Sequence, residues 1–195
     1  MVKKADLPCK ITADLVASAK VNPGKLTHGT LDMGSVPQIV AENFNAVAGI
    51  STLHVPYRGG SLVLQDMLGG QVDFVFDSGL AVPHVKSGKL KLLGTAMPKR
   101  TPIFPDTPTL GEGGYKDMDG STIFGFFAPA GTPVAIVNRF NAEVNKALAQ
   151  PALREQIAAL GAEVVPMTPA QYRTSLEATA RNAAAIVKER QIKAE

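Results

Sequence analysis

Cysteine is nearly absent from this chain. Cys9 is the single one, which excludes an internal disulfide and a zinc site built on thiolates. Long apolar runs are missing too, and no window approaches the ~20 residues of a membrane span. The opening Met1 to Pro8 is short and polar, without the apolar core of a signal peptide. It reads as an exposed leader carrying Cys9, and the chain as a soluble one with no export address of its own. Neither sign of charge dominates: 20 Lys and Arg against 17 Asp and Glu leave a formal +3. The basic residues are scattered, and the densest stretch, Lys86 to Lys91, is too thin for nucleic acid.

Catalytic patterns are lacking as well. His28, His54 and His84 stand far apart, with no i,i+4 partner of metal-ligand type, and read as packing residues. Ser35 and Ser61 lie in no GxSxG elbow. Neither GxGxxG nor Gly-Lys-Ser/Thr occurs, and no paired carboxylates or nucleophile–base set appears. An enzyme has nothing to run on here, so the reading turns to binding without a cofactor.

What is present is a regular alternation of short apolar strands and amphipathic helices. Hydrophobic residues make up 45% of the chain and charged ones 19%, enough for a packed core. Thr12 is placed to cap a helix to about Val21, and Asn22-Pro23-Gly24 ends it. Ser51 to Tyr57, Val72 to Phe76, Leu90 to Thr95, Ser121 to Pro129 and Val164-Val165 read as strands. Between them fall helices from Ser61, from Leu80, from Thr132-Pro133 and from Pro151. Thr168-Pro169-Ala170-Gln171 is a capping box that opens a long helix to about Gln191. Such alternation predicts an α/β fold with mostly parallel pairing.

The stretch Gly29-Thr30-Leu31-Asp32-Met33-Gly34-Ser35-Val36-Pro37-Gln38 organises the rest. It follows the strand at Leu26 and precedes an amphipathic run, with Val36, Val40, Phe44 and Val47 on one face and Gly49 at its end. Ser35 is a good N-cap, its hydroxyl accepting from first-turn amides, and Pro37 suits the first turn. The free amides and positive dipole end there make a ready anion site. A plain strand-to-helix turn would look the same. Asp77-Ser78-Gly79 occupies an equivalent junction, and ligands in parallel sheets bind beyond the carboxyl ends of the strands. Asp77 is then either a ligand acceptor or a cap on the amides of Gly79 and Leu80. Tyr57 is either a cleft hydroxyl or a packing residue.

Six segments in order resemble one family: His54 to Gly59, Gly69 to Asp73 with Phe76-Asp77, Lys86 to Leu90, Pro105 to Thr109, Gly125 to Pro133, and Leu160 to Ala162. Together, over roughly residues 8 to 190, the chain resembles the Bug/TctC receptors of tripartite tricarboxylate transporters. The resemblance implies a two-lobed binding fold of the periplasmic binding protein type II kind, with mostly parallel sheets. It closes on a small organic carboxylate and delivers it to a membrane permease. It implies residues 8–97 as the second lobe and 98–195 as the C-terminal part of an incomplete first lobe, through which copies would be able to associate. By position it brings Thr30, Met33, Gly34, Ser35 and Asp77 to the site. The chain departs from the family's loop in Asp32, where a glycine is usual, and in Gln38, where a histidine is usual. A fragment that no longer transports, acting through protein association, is the rival expectation.

Overall fold

The computed structural model describes residues 1–32 and 34–192. Met33, expected in the site, lies outside the described residues. Two compact units make up the chain: Met1–Thr122 with the segment from Ile186 onward, and Ile123–Ala185.

The first unit is built on one five-stranded sheet, comprising β1 (Val2–Lys4), β2 (Thr27–Leu31), β3 (Leu53–Tyr57), β4 (Phe74–Val75) and β5 (Leu90–Leu92). The strand order is β3-β2-β4-β1-β5. β2 pairs parallel with β3 and β4. β1 is the exception, antiparallel to both β4 and β5 between which it lies. The expected mostly parallel α/β sheet is therefore present, with one reversed strand inside it.

That strand corrects the leader reading. Met1, Val2 and Cys9 are each only 4% exposed, and Lys3 is fully buried. A lysine tolerates this because its ammonium donates to the carbonyls of Lys4 at 3.0 Å and Leu7 at 2.6 Å, so the buried charge keeps its hydrogen bonds. Burial pushes the Lys3 ammonium below its usual range and the Cys9 thiol above its own. Three residues with a lysine in the middle carry no strand pattern that composition would reveal.

Helices cover both faces. On one lie α1 (Thr12–Val21) and α2 (Val36–Ala48), whose Leu15, Ala19, Val40 and Phe44 pack with Phe74 and Phe76 of the sheet. On the other lies α3 (Gly60–Leu68), with α4 (Val82–Lys86) after it; Val63 and Met67 pack with Val2, Val75 and Leu90 there. The α1 cap differs from expectation. Asp14 reaches back to accept from the amides of Lys10 at 2.7 Å and Ile11 at 3.2 Å, while the Thr12 hydroxyl donates to Leu93. In α2 the buried face is Val40, Ala41, Phe44 and Ala48, and Val36 and Val47 are exposed. Gly49 ends the helix at φ +63°, a left-handed conformation that suits a residue without Cβ.

The second unit holds α5 (Val134–Leu148), α6 (Pro151–Ala159) and most of α7 (Pro169–Arg190). The capping box at α7 is formed: the Thr168 amide donates to Gln171 Oε1, and the Gln171 amide to Thr168 Oγ1. Thr132 does not cap α5; its hydroxyl donates to the Pro129 carbonyl, and the helix starts at Val134. Residues 121–129 and 164–165, expected as strands, belong to no sheet among the described residues. Phe124 and Phe127 stand 76% and 78% exposed. A strand exists only with a neighbour to pair with, and this unit offers none to these apolar segments.

Candidate functional site

The site region is the carboxyl end of β2 and β4. Along β2 side chains alternate between the two faces of the sheet. His28 and Thr30 point to the α2 side, where Thr30 Oγ1 lies 2.5 Å from His54 Nε2 and His28 Nδ1 lies 2.8 Å from Thr52 Oγ1. Gly29 faces α3, and an added Cβ there would meet Val63 Cγ1 at 2.8 Å. Only glycine lets α3 approach this closely.

Beyond Leu31 the chain turns back on itself. The Asp32 amide donates to the Tyr57 carbonyl at 2.9 Å and the Ser35 amide to Asp32 at 3.3 Å. Ser35 occupies the N-cap position, but its hydroxyl donates to the Leu31 carbonyl instead of accepting from the helix. The amide of Gly34 goes to Gln38 Oε1 at 2.6 Å. Gln38, buried and in the first turn of α2, thus covers part of the helix start that the sequence presents as open.

At the β4 end, Asp77 Oδ2 accepts from the amides of Gly79 at 2.8 Å and Ala81 at 2.9 Å. The capping geometry is therefore present, with Ala81 in place of Leu80. This turn and β2 frame a small, open cleft of about 20 Å³, room for little more than one water, between the sheet end and the start of α3. Thr30 and Asp77 both line it, alongside Leu31, Val63, Leu64, Phe76 and Leu80. Gly34, Ser35 and Tyr57 are not among its walls. The Tyr57 hydroxyl donates to Asp66 Oδ2 at 2.7 Å, and burial, then Asp66, pushes its pKa up to about 12.

Sequence reasoning missed the histidine pair. His28 and His54 are partners in the β2–β3 register, and their rings stack at 5.1 Å. Burial, reinforced by the neighbouring His54, pushes His28 down to about 4; burial lowers His54 as well. The signal lay in the two five-residue strands, but only the pairing register sets one ring on the other. Among the described residues no cluster of His, Cys, Asp and Glu is arranged to hold a metal, and no helix is long and apolar enough to cross a membrane.

A helix-covered α/β sheet with a cleft at its carboxyl edge is the build of a small-molecule binding lobe. The family model described as tripartite tricarboxylate transporter family receptor (TctC) matches residues 1–192, and the chain belongs to that family. It is 36% identical over 187 residues to the UPF0065 protein in the gbd 5'region of Cupriavidus necator, covering 96% of this chain and 57% of that protein. It is 33% identical over 176 residues to protein BugT of Bordetella pertussis, covering 90% and 54%.

Among solved structures, an R. palustris protein with adipate superposes with a TM-score of 0.90 at 28% identity, covering 98% of this chain and 64% of that one. The periplasmic binding protein BugD gives 0.85 at 26%, covering 98% and 65%. MatC from Rhodopseudomonas palustris with bound malate gives 0.78 at 27%, covering 95% and 65%. The fold is that of the periplasmic binding proteins. The chain spans a little over half the length of these curated relatives and about two thirds of the solved chains.

Proposed function

We propose that this chain is the ligand-holding part of an extracytoplasmic solute receptor, one that captures a small organic carboxylate for the permease of a tripartite tricarboxylate transporter. The observation that carries the reading is that Thr30, near the end of β2, and Asp77, in the turn after β4, border one cleft beside the start of α3. The adipate and malate of the two solved relatives support a carboxylate as the cargo, and the periplasmic neighbours support that compartment. In this reading the turn holding Thr30, Met33, Gly34 and Ser35 receives the carboxylate. Asp77 orders a ligand donor or water, and Tyr57 ends the adjoining strand. Residues 8–97 form the second lobe and 98–195 the C-terminal part of an incomplete first lobe.

Calorimetric titration with a panel of di- and tricarboxylates tests the reading. Binding of at least one is expected, weakened roughly two- to tenfold by Ser35→Ala, the size of a single lost hydrogen bond. Absence of heat with every acid overturns it. One observation favours a second reading, a fragment that acts by association. Phe124, Phe126 and Phe127 are all exposed in the second unit, more aromatic surface than a monomer usually leaves bare. Mass measurement by light scattering separates the two, because a self-associating fragment does not respond to carboxylates.

A further inference from the structure

From residue 121 to 129 the chain has no turn or bend. Successive side chains of such an extended stretch point to opposite sides, and in the second unit each side meets a helix. Phe126 packs edge-on against Phe140 of α5 at 5.4 Å, and Phe127 lies against Tyr172 of α7 at 5.8 Å. Gly125, on the same side as Phe127, sits so close to α7 that an added Cβ would run into the Tyr172 hydroxyl. Both faces are therefore partly covered, and what stays open is the edges. Among the described residues, no amide or carbonyl from Ile123 to Ala128 takes part in a hydrogen bond. Edges of that kind are completed by another strand.

Building on the association reading above, we propose that this strand comes from a second copy of the chain, paired antiparallel through residues 123–128 about a two-fold axis at Gly125. Charge permits it, because no charged residue occurs from Gly120 to Asn138 and two copies meet there without repulsion. Area favours it as well. Phe124, Phe126, Phe127 and Phe140 are each more than half exposed, and at about 200 Å² a ring they leave roughly 500 Å² of aromatic surface. Leu160 and Val165, also more than half exposed, bring the patch toward the ~800 Å² that each partner of a stable dimer buries. The symmetry makes the segment its own complement. It sets Phe124 of one copy across from Phe126 of the other and Ile123 across from Phe127, the aromatic and β-branched pairs that stabilise a sheet. Pro129, which has no amide to donate, ends the pairing.

Sedimentation of the full chain over a range of concentrations, with hydrogen exchange on the same samples, tests the proposal. The expected mass is twice that of the 20.5 kDa chain. In the dimer, alternate amides within residues 123–128 are expected to exchange slowly, and on dilution to the monomer that protection is lost. Phe124→Asp sets a carboxylate against Phe126 at both symmetric pairs and is expected to raise the dimer Kd at least tenfold. Leu53→Asp, on the exposed edge strand β3 of the first unit, is expected to leave it unchanged. If a dimer forms while the amides of 123–128 exchange freely, or if Phe124→Asp leaves its Kd unchanged, strand pairing fails and association stands. Dissociation by Leu53→Asp places the interface on β3 and overturns the proposal too. A mass that grows beyond two chains overturns the closed two-fold arrangement. A mass of one chain at every concentration removes the association reading and this inference together.

Discussion

His54 of β3 lies directly across from His28 of β2, its ring stacked on the other at 5.1 Å and tilted by 19°. On the α2 side Glu42 stands 3.8 Å from His28 Nε2, and Phe74 of β4 packs against the same ring. The sheet edge thus keeps two neutral imidazoles stacked beneath the helix that begins the organising turn. Protonating them inside the fold sets two positive charges face to face.

Stability should fall in mild acid for this reason. His28 is held at about 4 in the fold against an ordinary value of 6.5, so the unfolded chain binds the proton first. Folding is unaffected by this residue above about pH 6.5 and weakens as pH drops toward 4. The full effect is on the order of 3 kcal/mol. Urea unfolding between pH 7.5 and 4.5 should show the decline, and His28→Gln should flatten it.

Gly29→Ala should destabilise the fold by about 1–3 kcal/mol through overpacking. The new methyl would meet Val63 Cγ1 at 2.8 Å, Val72 Cγ1 at 3.2 Å and Val75 Cγ1 at 3.3 Å. Adding Val63→Ala opens the closest of these contacts, so the double variant should lose less than the two single losses together. Denaturant midpoints of the four proteins check this.

Gln38→Ala takes away the acceptor of the Gly34 amide and should cost about 1–2 kcal/mol. Its sharper signature is local. Hydrogen exchange at Gly34 should accelerate well beyond exchange at Phe44, which sits in the same helix but owes nothing to Gln38. Equal acceleration at both would mean that the whole helix has loosened instead.

The Tyr57 phenol should resist ionisation in the folded protein, titrating near 12 by ultraviolet absorbance. Burial is the larger cause and Asp66 the second. Asp66→Asn should therefore bring the midpoint only part of the way back toward 10. A full return would assign the shift to Asp66 alone.

Much of the architecture was readable because it rests on local patterns. The turn at Gly29, the left-handed end at Gly49 and the capping box at Thr168 each involve residues within a few positions of one another. Asp77 as a cap is of the same kind. What escaped depends on partners distant in the chain. Lys3 enters the sheet interior only because carbonyls up to Leu7 and strands near residues 74 and 91 surround it. Residues 121–129 look like a strand and lack a neighbour to make one. Periodicity foretells helix α2, but it chose Val36 and Val47 where packing against the sheet chose Ala41 and Ala48. At the site, the convergence of Thr30 and Asp77 followed from the sheet-edge rule. The turning of Gln38 onto Gly34 and of Tyr57 onto Asp66 did not, because side-chain hydrogen bonds across a turn leave no pattern in composition.

The reversed strand β1 has a consequence for synthesis. Val2 pairs with Val75 on one side and Leu92 on the other, so β1 can complete its place in the sheet only after synthesis has reached Leu92. Until β5 arrives, β1 has a partner only in β4, and a strand of one valine and two lysines is left with an open edge. Such distant pairing is the slow kind, and a nascent chain halted before residue 90 would be expected to need protection from aggregation.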